Sequence, residues 1–271
     1  MTAIAVVLTI IWGVVTVIRE GQGADGKFVF IKIDGGYSVG WEGAKWAYEN
    51  NGVMFIPATH NGEPVTRTHG TINIDNAVAV VIPSSIEFLP LRTFEGTQFG
   101  AHKRAYVLGQ TAKPAGFENW WGQYFFRDFD YHLELNVSWG AVMHDGMVFE
   151  MTGGKWTLCA VDGSQVPKNV TIPAYINGAP VTNISNYAFG NVKIHSVEIA
   201  DGVESIGVAA FLGCTVRTMT VPLSVISIGA QGLAIPNCTI YMVAPEPQPA
   251  WHADFATTGA NPQKPTIVWG N

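Results

Sequence analysis

Ile184, Ile206 and Ile228 stand 22 residues apart, and the Ala-Phe pairs at 188–189 and 210–211 repeat with the same spacing. Leu233 takes the next phenylalanine position. A short apolar strand precedes each isoleucine: Val170-Thr-Ile172, Val197-Glu-Ile199 and Met219-Thr-Val221. Such a period constrains the fold more than any bulk property does. A unit of this length cannot enclose a core alone, so each coil must bury its apolar face against its neighbours. The expectation is a mainly β solenoid, with Gly207 and Gly229 at the step where the backbone turns.

Outward from this ladder the chain reads as two copies of one unit. Val53-Met-Phe-Ile-Pro57 leads into Ala58-Thr-His-Asn-Gly-Glu-Pro-Val-Thr66, which matches Ile172-Pro-Ala-Tyr-Ile-Asn-Gly-Ala-Pro-Val-Thr182 at an offset of 116. Asn-Gly is a turn signal with a physical basis, because both residues tolerate positive φ. The first copy opens with a strand from Asp25 to Phe30 and a turn at Asp34-Gly-Gly36, and the second opens at Asp145-Gly-Met-Val-Phe149. They close with Val137-Ser-Trp-Gly140 and Ile267-Val-Trp-Gly270. An open solenoid end exposes apolar edge, so the hairpins and Trp-Gly segments are the expected caps. The division is a hydrophobic α-helix over 1–20, a degenerate repeat unit over 25–140, and a second unit over 145–271 with regular 22-residue coils. The second holds one more coil, from its longer Phe-to-Tyr spacing.

This set of motifs (strand, Ile-Pro, a Val/Ile-x-x-Ile-Gly step, then Ala-Phe and Gly-Cys) resembles the BspA-like leucine-rich repeat family of cell-surface proteins. The resemblance covers most of 53–121 and 168–251. In the first copy Thr93-Phe94 replaces Ala-Phe, and residues 71–79 depart from the pattern. The resemblance implies a surface-exposed or secreted protein, and several family members are associated with adhesion to host or neighbouring cells. The implied function is that of a non-enzymatic repeat protein presenting a solenoid surface for adhesion or for binding a protein or glycan ligand.

Residues Ala3 to Ile18 form an uncharged, mostly apolar run ending at Arg19-Glu20. As a helix it would reach roughly 24 Å, slightly short of a ~30 Å hydrocarbon core. A cleaved secretory signal lacks its basic n-region here and has a poor cleavage site. An uncleaved membrane anchor through residues 1–18 is the preferred reading, with an extracellular or cell-surface location. The alternative is a structural subunit of an extracellular filament or sheath, its N-terminal helices bundled against copies of themselves. Residues 1–18 discriminate between the two.

The net charge of −6 and the 13% charged content, without a Lys/Arg cluster, argue against nucleic acid as a partner. The seven histidines are scattered, and neither HExxH nor G-x-S-x-G is present. No catalytic or cofactor-binding residue is singled out, and no cofactor is expected. Asp128, Asp130, His132 and Glu134 alternate, so a strand would carry them on one face. An ordinary amphipathic strand is the preferred reading, and a Ca²⁺ face of Asp128, Asp130 and Glu134 is the alternative. The aromatic group Phe117, Trp120, Trp121, Tyr124, Phe125 and Phe126 is read as capping, with stacking on sugar rings as its alternative. Cys159, Cys214 and Cys238 make no metal motif, and buried thiols at one ladder position are expected for the last two, with a disulfide between them in an oxidising compartment as the alternative.

Overall fold

The computed structural model of the protein describes residues 7–9, 14–18, 27–42, 52–74, 77–96, 103–119, 121–126, 132–258 and 263–270. Its regular elements there are short strands joined by turns. The chain divides into two compact units, one of Met1–Tyr48 with Gly52–Gly140 and the other of Glu49–Asn51 with Ala141–Asn271. Each has its own hydrophobic core.

The second unit begins with a hairpin, Met147–Thr152 against Lys155–Val161, turning through Gly153 and Gly154 at φ 60° and 78°. Lys155–Val161 then pairs in parallel with Ala179–Ile184. Asn177 and Gly178 sit at φ 49° and 80°, the two positive values that a tight two-residue hairpin requires. From here two parallel ladders climb together. One stacks Asn169–Ile172, Ser196–Ile199, Thr218–Val221, Thr239–Met242 and Thr266–Trp269. The other stacks Ala179–Ile184, Ser205–Ile206, Ser227–Ile228 and Ala250–Trp251, bringing Ile184, Ile206, Ile228 and Trp251 into one buried column.

The Ala-Phe step has a backbone signature. Tyr187, Ala209 and Gln231, each just before it, all sit at positive φ (58°, 51° and 56°). This conformation sends the N–H groups of Tyr187, Ala209 and Gln231 to carbonyls of the next coil. The rings that follow are fully buried, and Phe189 stacks on Phe211 at 4.7 Å and 15°. Gly207 and Gly229 are fixed by contact: a Cβ on Gly229 would lie 2.7 Å from the Val208 nitrogen, and one on Gly207 would lie 2.5 Å from the Asn186 nitrogen.

The first unit uses the same parts in looser register. Lys27–Ile33 and Gly36–Glu42 form a hairpin, and the return strand pairs in parallel with Glu63–Thr68. Asn61 and Gly62 turn at φ 50° and 80°. One parallel ladder runs through Val53–Phe55, Ala79–Ile82 and Arg104–Leu108, and a second through Ile72–Asn73, Phe94–Gly96 and Gln123–Phe126. Rung spacing is uneven here, 26 and 25 residues along the first ladder (Val53, Ala79, Arg104) and 22 and 30 along the second (Ile72, Phe94, Tyr124). The column Ile184, Ile206, Ile228 of the second unit keeps 22. Arg92, before Thr93-Phe94, holds the same positive φ (61°) as Tyr187 and Ala209.

At the N-terminus the described residues differ from the helix expected over 1–20. Val7–Thr9 and Val14–Ile18 are strands that pair antiparallel, and the second also pairs with Lys27–Ile33. The reason is compositional: seven of the eight residues in the two segments are Val, Ile or Thr, whose branched Cβ favours extended backbone. The rest of 1–20 lies outside the described residues. Among those described, no helix is long and apolar enough to cross a membrane.

Candidate functional site

The aromatic segments 117–121 and 251–255 are built alike. In the first unit Leu89 bridges to Phe117, as Ile228 pairs with Trp251 in the second. Glu118 N–H donates to the Leu89 carbonyl at 3.0 Å, and His252 N–H to the Ile228 carbonyl at 2.8 Å. Trp121 N–H returns to Glu118 and Phe255 N–H to His252. The rings follow: Phe117 and Trp121 meet edge-on at 5.0 Å, and Trp251 and Phe255 at 5.3 Å. A tryptophan from the Trp-Gly strand completes each group, Trp139 at 5.7 Å from Trp121 and Trp269 at 6.1 Å from Trp251. The counterpart of Trp251 is therefore Phe117, and Trp120 lies outside the described residues. Phe117 and Trp121 are buried, so they pack the core and offer no ring face to a ligand. Tyr124, Phe125 and Phe126 belong to the strand Gln123–Phe126.

Beside this aromatic group the first unit opens a cleft of about 640 Å³, within the size range of small-molecule sites. Leu91, Pro114 and Ala115 give it an apolar wall above the buried ring of Phe117, and Lys113, Glu118 and Asn119 give it a polar one. Leu91, just before the positive-φ residue Arg92, is about half exposed. The loop 113–119 is seated on the preceding coil. Leu89 N–H donates to the Gly116 carbonyl at 3.2 Å, and a Cβ on Gly116 would lie 2.1 Å from the Glu87 carbonyl oxygen. Leu91 N–H donates to Glu118 Oε2 at 2.8 Å, and Lys113 Nζ donates to Asn119 Oδ1 at 3.1 Å. These bonds orient the three polar side chains and leave donors on Lys113 and Asn119 and an acceptor on Glu118 for a ligand. The corresponding loop of the second unit carries Pro247, Gln248, Pro249, His252 and Ala253 in their places. The same backbone bonds form there without a Lys, Glu or Asn, so closing the coil does not require them.

None of these cleft residues stands out in the sequence, because Leu91 and Lys113 come together only through coil stacking. The available signal was the charged and amide side chains of 113–119, set against the nearly uncharged 247–253.

Asp128 and Asp130 of the proposed Ca²⁺ face lie outside the described residues, and Glu134 falls in the strand His132–Glu134. Among the described residues no three His, Cys, Asp or Glu side chains are grouped to hold a metal ion. The three cysteines are buried free thiols. Cys214 and Cys238 differ from the expected shared ladder position, since Cys214 leads its strand (Thr218–Val221) by four residues and Cys238 leads its own (Thr239–Met242) by one. Burial pushes both thiols up to about 12. In the first unit burial holds the His69 imidazole below its ordinary value, with Nδ1 at 2.8 Å from Ser38 Oγ.

Comparison with known proteins adds the following. Three solved structures are similar to this chain. A leucine-rich repeat protein from Bacteroides capillosus ATCC 29799 is 20% identical, over 47% of this chain and 98% of its own, with a TM-score of 0.34. The pneumococcal vaccine antigen PcpA is 12% identical over 84% of this chain and 81% of its own, with a TM-score of 0.30. A leucine rich cell surface protein from Faecalibacterium prausnitzii A2-165 is 14% identical over 84% and 94%, with a TM-score of 0.26. Among curated proteins none matches. The family model described as BspA type leucine rich repeat region matches residues 169–243 in six copies. With its isoleucine column, its buried Ala-Phe steps and its parallel ladders, the segment 169–243 is a BspA-type leucine-rich repeat region.

Proposed function

We propose that this is a surface-displayed, non-enzymatic repeat protein whose solenoid faces bind a protein or glycan ligand. The observation that carries this reading is the outward face of the five-stranded ladder in the second unit. Asn169, Ser196, Thr218, Thr239 and Thr266 stand in register on successive strands, each at least partly exposed. The adjacent outward column, at 171, 198, 220, 241 and 268, has one charge, Glu198. Rungs ~4.8 Å apart carrying hydroxyl and amide groups present an extended, repeating surface, the kind that solenoids use for binding. Exposed apolar side chains on the same unit, Tyr175, Leu223 and Ile226, add contact area without being needed by the core. The surface location is carried over from the BspA-type repeat.

Labelling of intact native cells with a membrane-impermeant reagent tests the reading. Modification of the exposed lysines of this chain, lost after mild protease shaving, is the expected result. Labelling only after lysis overturns it. Regular fibres containing the protein in electron micrographs would replace it by the filament-subunit reading. Membrane attachment through the apolar residues 3–18 belongs to the same proposal. The chain lacking residues 1–20 is expected to leave the membrane fraction, and its retention there would sink the attachment.

A further inference from the structure

We infer that the cleft at Leu91 and Lys113–Asn119 is a binding site for a neutral pyranose unit, an assignment that rests on the surface-binding reading and names its ligand class. A pyranose has a ring of hydroxyls and a C–H face. The cleft has both complements: Lys113 and Asn119 donate, the free oxygen of Glu118 accepts, and Leu91 and Pro114 face the C–H side. One cation and one carboxylate balance each other across the site, so nothing in it demands a charged ligand.

Two further features favour a site over a chance hollow. The loop is held before any ligand arrives, by Gly116 pressed against the Glu87 carbonyl and by the Leu89–Gly116 and Glu118–Leu89 backbone bonds. Pre-ordered polar groups lose less freedom on binding, which matters for ligands as small and well hydrated as sugars. The second unit also builds the same closure from Pro247, Gln248, Pro249, His252 and Ala253. The polar trio is thus additional to what the fold needs. The buried rings of Phe117 and Trp121 support the loop from below and do not stack on the sugar.

The test is a heteronuclear NMR titration of the full chain with methyl glucoside, methyl galactoside, methyl mannoside and N-acetylglucosamine. At least one sugar is expected to shift the amides of Leu91 and 113–119, with a Kd on the order of a millimolar. The double variant Lys113→Met, Asn119→Leu is expected to weaken that binding at least tenfold while circular dichroism stays unchanged. Both side chains are exposed, so the fold tolerates the change. Glu118→Gln keeps an acceptor for Leu91 N–H and is expected to lose severalfold. Absence of shifts in 113–119 with all four sugars overturns the inference, and so does binding that the double variant leaves intact. Sugar shifts mapped instead to strands 169–269 overturn the cleft while leaving the surface-binding reading in place. Labelling of the protein only in lysed cells, with the cleft shifts present, overturns the surface reading alone.

Discussion

The residue before the buried Phe or Leu is Ala188, Ala210 and Gly232 in successive coils of the second unit, and Thr93 in the first. Along the Ile184, Ile206, Ile228 column of the second unit the coils close over 22 residues and pack tightly. A Cβ on Gly232 would lie 2.8 Å from Ile228 Cγ2 and 2.9 Å from the Gly207 carbonyl oxygen. In the first unit the coil that follows the step is longer, 30 residues from Phe94 to its strand partner Tyr124, and Thr93 is fully buried with its hydroxyl donating to the Pro90 carbonyl at 2.7 Å. Coil length thus sets how much side chain the step accepts. A short coil brings its neighbour close and admits only small residues, and a longer one leaves room for a side chain that brings its own hydrogen-bond partner. The regular spelling of the second unit is a packing constraint, and the irregular spelling of the first is that constraint relaxed.

The largest way to break this comparison is to remove a ring. Phe211→Ala is expected to cost about 3–5 kcal/mol in denaturant unfolding, because Phe211 is fully buried and stacked on Phe189. Hydrogen exchange should rise in the coils on both sides of it, as expected where each coil is held by its neighbours. Phe94→Ala, equally buried in the first unit, is expected to fall at the low end of that range, because longer coils collapse more readily onto a cavity. Equal losses with exchange confined to the mutated coil would contradict the packing argument.

Next comes the step itself. Gly232→Ala is expected to destabilise by about 1–3 kcal/mol through overpacking. Thr93→Ala is expected to cost about 1 kcal/mol, the worth of one hydrogen bond. A neutral Gly232→Ala would mean that the second unit has slack which its spacing does not show.

Much of this was readable before any coordinates, for identifiable reasons. Asn61-Gly62 and Asn177-Gly178 announce their turns because few residue pairs adopt two successive positive φ values, and both hairpins close in the same register. The Ile184, Ile206 and Ile228 column is visible because equal spacing and equal burial go together. In the N-terminal run an unbroken apolar stretch has no period to separate helix from strand, and the described segments 7–9 and 14–18 follow their β-branched content. The cleft has no local signature, since its two sides lie on different coils.

The two units should also part with pH. Cys214 has its folded value raised to about 12 by burial, so stability is undiminished below ~9 and is lost as pH rises from there toward 12. The loss is on the order of 1 kcal/mol per pH unit for each thiol, since Cys238 is raised to about 12 as well. The double variant Cys214→Ala, Cys238→Ala should flatten it. His69 is shifted the other way, so its contribution is present above pH ~6.5 and is lost as pH falls below. Exchange rates read unit by unit at pH 5, 7 and 10 should therefore loosen the first unit in acid and the second in alkali. The same response from both units would remove these groups as its cause.

The smallest expected effects are at the ion pairs, and they serve as the control for the rest. Among the described residues a Lys–Glu pair lies close to the opening hairpin of each unit, Lys32 with Glu63 in the first and Lys155 with Glu204 at 3.4 Å in the second. All four side chains are about half exposed, where water and salt screen the attraction and ordering two long side chains offsets most of it. Double-mutant cycles on each pair are expected to give less than about 1 kcal/mol, and less still at 0.5 M salt. If they do, surface charge cannot account for a stability difference between the units, and the difference falls to coil length and the Thr93-for-Ala step. A coupling of several kcal/mol at Lys155–Glu204 would instead give the regular unit an electrostatic clamp across its coils, and the packing account would have to share its explanation with it.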